Sequence, residues 1–77
     1  MKNRFEIHVN GLTVTVRACR LTQRANGETV RDVQGVAQIK FLADKDAETW
    51  ARIFHRVCLR LYHSAPAAHA PAELTFG

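Results

Sequence analysis

Phe5-Glu6-Ile7-His8-Val9-Asn10-Gly11-Leu12-Thr13-Val14-Thr15-Val16 decides the fold. Apolar and polar residues alternate on both sides of Asn10-Gly11, and a period of two is the mark of a half-buried strand. Asn-Gly between two such runs is the strongest short-range hairpin signal, because a type I′ turn needs positive φ at both central residues. Phe5, Ile7 and Val9 therefore share one face with Leu12, Val14, Val16 and Ala18, while Glu6, His8, Thr13, Thr15, Arg17 and Cys19 take the other. The second strand extends to Leu21, and its β-branched residues suit a pleated surface.

Outward from the hairpin, Thr22 to Glu28 is polar and carries a second turn signal, Asn26-Gly27. A third strand follows. Thr29 to Val33 reads as extended, Gln34-Gly35 marks a bulge or bend, and Val36 to Leu42 alternates again with Ala37, Ile39 and Phe41 toward the core. Beyond it, Trp50, Ile53, Phe54, Val57 and Leu61 recur at helical spacing, one apolar stripe on a helix running to about His63. Asp44 or Asp46 is placed to cap that helix, and Asp44, Asp46 and Glu48 set negative charge at the positive end of its dipole. The expected fold is α+β: a three-stranded antiparallel meander covered on one face by a single C-terminal amphipathic helix, over residues 1–63. Residues 64–77, with Ser64-Ala65-Pro66-Ala67-Ala68-His69-Ala70-Pro71, form a flexible Pro/Ala-rich tail. Its last residues offer either a short added strand or a Phe76 docked in a groove.

Size and composition narrow the function. A chain of 77 residues has a single thin core that supplies only about 3–5 kcal/mol of net stability, which leaves little room for a preorganised reaction site. Neither disorder nor membrane insertion fits 47% hydrophobic and 23% charged residues, and no apolar run approaches the ~20 residues that span a bilayer. The segment Met1–Glu6 lacks the apolar stretch of a leader peptide. Cys19 and Cys58 are too few for the disulfide framework of a small secreted domain. The expectation is a protein of the bacterial cytoplasm with reduced thiols.

No constellation points to an enzyme, a cofactor or a metal. The four histidines and two cysteines include no tight Cys pair of the kind zinc favours. No nucleophile elbow, phosphate loop or paired-carboxylate motif is present. What remains is charge. A net +4 favours an acidic partner: an acidic protein surface, a nucleic-acid-handling protein complex, or nucleic acid itself. Arg52, Arg56 and Arg60 fall on the helix side away from the apolar stripe, with Leu59 among them. A polar outer face is also what solvation alone requires; Leu59 favours a protein contact. Arg17, Arg20, Arg24 and Lys40 extend the basic set onto the sheet and its loop. The open sheet face carries no aromatic residue for stacking on RNA bases, and it offers a surface for a homodimer.

Two resemblances follow. The order strand-strand-strand-helix is similar to the C-terminal part of the double-stranded RNA-binding domain. That family has a further helix ahead of its sheet and lysines at the start of its last helix, where this chain has the acidic Asp44-Lys45-Asp46-Ala47-Glu48, so the likeness stops at topology. In size and in its lack of catalytic motifs, the whole chain also resembles the anti-CRISPR proteins, small phage-encoded inhibitors of bacterial defence. That resemblance is one of type and rests on no shared motif. It implies a protein that docks on a nucleic-acid-handling complex, such as a Cascade-like effector, and blocks it.

Overall fold

The structure, a computed structural model, describes residues 1–77. β1 (Lys2–Asn10), β2 (Thr13–Gln23) and β3 (Thr29–Lys40) form the expected antiparallel meander, followed by α1 (Asp44–Ser64) and a fourth strand, β4 (Glu73–Phe76). The sheet order is β3-β2-β1-β4, and β4 runs parallel to β1, pairing Leu74 with Ile7 and Phe76 with Val9. The sheet is thus four-stranded and mixed rather than three-stranded and antiparallel. The added strand is reached by way of the Asn3–His69 bridge, with Asn3 bonded to the backbone of Ala68 and Ala70. These contacts satisfy the outward backbone groups of β1, which would otherwise be an exposed edge.

The first hairpin closes one residue later than the sequence suggests. Asn10 and Thr13 face each other, so the two-residue loop is Gly11-Leu12, with φ of 60° at Gly11 and no positive φ at any non-glycine residue. That is the pattern of a type II′ turn, which places glycine first. Leu12 is consequently an exposed loop residue and not the first core residue of β2. In the second turn Gly27 has φ of 86°, and the Asn26 side chain accepts from the Glu28 amide at 3.0 Å. The bulge lies where Gln34-Gly35 places it: Ala18 faces Gly35 and Cys19 faces Val33, which leaves Gln34 unmatched.

α1 packs on β1, β2 and β4. Ala43 occupies the N-cap with no side-chain bond to the helix, so neither Asp44 nor Asp46 caps it; both lie inside the first turn, where they still oppose the helix dipole. The buried helical residues are Ala47 and Ala51, seated against Ile7, Val9 and Val14, with Phe54 and Cys58 partly buried beside them. These four also recur at i, i+4, i+7 and i+11. Small residues let the helix backbone approach the sheet, and the wider stripe is displaced to one flank. Trp50, Val57 and Leu61, expected to be core, are 46, 51 and 43% exposed.

Candidate binding surface

The flank that carries Trp50, Val57 and Leu61 lies on the β3 side of α1, with Val57 across a gap from Ala37 and Ile39. Apart from half-buried Val30, every residue of that strand is exposed. Between helix and strand lies an open trough of about 300 Å3, lined only by apolar side chains. Val16, Ala37 and Ile39 form its floor, Phe54, Val57 and Cys58 its wall, and Phe5 also lines it. Period two aimed Ala37 and Ile39 at the helix side, as expected, but α1 sits too far toward β4 to cover them.

The outward face of α1 carries the basic residues. Arg52, Arg56 and Arg60 are exposed, and none has a carboxylate partner. The Arg52 guanidinium lies 5.1 Å from the centroid of the Phe76 ring, a cation–π distance, so β4 steadies one end of this face. Leu59, expected to be exposed, is half-buried. The remaining predicted site residues do not join them. Arg17 and Lys40 lie on the sheet face remote from α1, Arg20 stands near the far end of β2, and Arg24 in the second turn pairs with Glu28 at 3.8 Å. The structure therefore splits the predicted basic set, and only the helix triad forms one surface.

The sheet face remote from α1 holds an ion network that sequence spacing did not reveal. Glu6 accepts from Arg4 at 2.7 Å and from Arg31 Nε at 2.7 Å, and Arg31 Nη2 reaches its other oxygen. Arg4 also contacts Glu73 of β4 at 3.2 Å. The bond from Arg31, seconded by Arg4, outweighs desolvation and draws the Glu6 carboxyl down to about 2. Cys19 is buried on this face, and loss of solvent together with the charge of Glu6 raises its thiol; burial alone raises Cys58. Both thiols are accordingly poor nucleophiles at neutral pH. His8 shares a 2.8 Å hydrogen bond with Thr75, and His55 one of 3.1 Å with the Ala72 carbonyl, so each ties the sheet or helix to the β4 segment. No group of three or more His, Cys, Asp or Glu converges as a metal site would require. Comparison with known protein families, curated proteins and solved structures gives no match.

Proposed function

We propose that this protein is a stoichiometric binding protein with no catalytic role, and that the Arg52–Arg56–Arg60 face of α1 engages an acidic surface on a macromolecular partner. One observation carries this reading. Arg4, Arg24 and Arg31 are each matched to a glutamate, whereas the three helical arginines stand exposed and unmatched on one side of one helix. An inhibitor of anti-CRISPR type is its concrete form. A basic face complements an acidic patch of a nucleic-acid-handling complex rather than the basic channel that holds the nucleic acid.

The test is a tagged pull-down from host lysate after nuclease treatment, comparing wild type with the triple variant Arg52→Glu, Arg56→Glu, Arg60→Glu. The reading expects a defined protein complex that survives nuclease with wild type and is lost with the variant, whose melting temperature stays nearly unchanged. Equal recovery by both proteins would remove the helix face from the proposal. Recovery of nucleic acid alone, with affinity falling steeply as salt rises, would replace it with direct nucleic-acid binding.

A further inference from the structure

We infer that β3 is the interface of a symmetric homodimer, in which a second copy pairs antiparallel with it about a two-fold axis through Gln38. The direction of the backbone groups comes first. The Phe41 amide donates to the Leu12 carbonyl at 2.8 Å, and hydrogen-bonded positions alternate along an antiparallel ladder. Ile39 and Ala37, facing Val14 and Val16, therefore turn their N–H and C=O groups toward β2. Val36, Gln38 and Lys40 turn theirs to solvent on the free edge of the sheet.

That edge lacks most of the features that discourage pairing. It holds no proline, its bulge lies outside the Val36–Lys40 segment, and Val36 and Ile39 are 59 and 39% exposed. A two-fold axis at Gln38 sets Gln38 opposite Gln38 and Val36 opposite Lys40. Every outward N–H and C=O of those three residues then finds a partner, and no two like charges face each other. On the helix side the same register sets Ala37 opposite Ile39, so the apolar floors of the two troughs become continuous. Registers one residue to either side would put unlike faces together, since residues directly opposite in a sheet share a face.

Apolar surface borders the free edge on both faces of the sheet. On the helix side Ile39, Trp50, Val57 and Leu61 are 39, 46, 51 and 43% exposed, and Val36, 59% exposed, lies on the other face of the sheet. In the eight-stranded sheet the two helices stand roughly 20 Å apart, and Phe54 and Val57 of each copy wall the shared floor. The exposed Arg52, Arg56 and Arg60 lie on the outward face of α1 and stay free on both copies.

The experiment is light-scattering mass measurement across a dilution series, with wild type and Gln38→Pro. Proline at residue 38 removes an outward N–H and the long 3.5 Å bond from the Gln38 side chain to Thr15 Oγ1, both at the sheet edge, so an edge strand accepts it and the monomer fold is kept; circular dichroism and melting temperature check that. Wild type is expected at twice the 8.7 kDa chain mass, and Gln38→Pro should weaken the dimer roughly 100-fold. Gln38→Cys should cross-link to itself on oxidation, because hydrogen-bonded pairs hold Cα atoms about 5.5 Å apart, within disulfide reach. A wild type that remains monomeric at high concentration overturns the inference. So does a dimer untouched by Gln38→Pro that Gln38→Cys fails to cross-link.

Discussion

The two halves of the sheet are built by the same hairpin logic and end in opposite states. β1 is flanked on both sides, covered by α1, and buries Ile7 and Val9 to within 4% of complete. β3, richer in β-branched residues, is flanked on one side, covered by nothing, and leaves Val36 more than half exposed. The difference comes from where α1 lands. Ala47 and Ala51 permit close approach over β1 and β2, and β4 then closes the β1 edge from the same side. What is added after β3 therefore stabilises the far half of the sheet, and the strand that leads into the helix is left with an open edge and an apolar floor. A domain of this size has core enough for one half, and the other half is surface available for contact.

Substitutions in equivalent chemistry on the two halves sharpen this contrast. Ile7→Ala should destabilise most, by about 2–5 kcal/mol, since it removes a side chain that is fully buried; urea unfolding monitored by circular dichroism measures it. Glu6→Gln should cost about 1–2 kcal/mol by weakening the bonds to Arg31 and Arg4. Its pH signature is more specific than its size. The Glu6 carboxyl titrates at about 2 in the fold against 4.5 ordinarily, a lowered value, so its contribution is complete above pH 4.5 and lost as pH falls toward 2. The Gln variant should show a flatter loss of stability over that window, and parallel wild-type and variant curves would refute the network's role. Val57→Gln, on the trough wall, should change the stability of the monomer by no more than about 0.5 kcal/mol. A cost comparable to that of Ile7→Ala would mean that the β3 half is core after all.

Much of this was legible before the structure. The alternation around Gly11, the bulge at Gln34-Gly35 and the extent of the helix all follow from local pattern. β4 was not, because four residues beyond a Pro/Ala run carry no periodic signal and their strand exists through pairing with β1. The packing face of α1 was misread for a related reason. Trp50, Val57 and Leu61 dominate any apolar stripe by size, while Ala47 and Ala51 carry little apolar weight although they are what fits against Val9 and Val14. The candidate surface divided in the same way. Helical spacing placed Arg52, Arg56 and Arg60 together, but the matching of Arg31 with Glu6 depends on a strand register that shifts at the bulge.

The most direct test of the open β3 half is amide hydrogen exchange resolved residue by residue at two protein concentrations. In dilute solution the Ala37 and Ile39 amides, bonded to β2, should be protected, while those of Val36, Gln38 and Lys40 exchange freely. At high concentration the account predicts protection at all five. Exchange at Val36, Gln38 and Lys40 that stays fast at every concentration would contradict it.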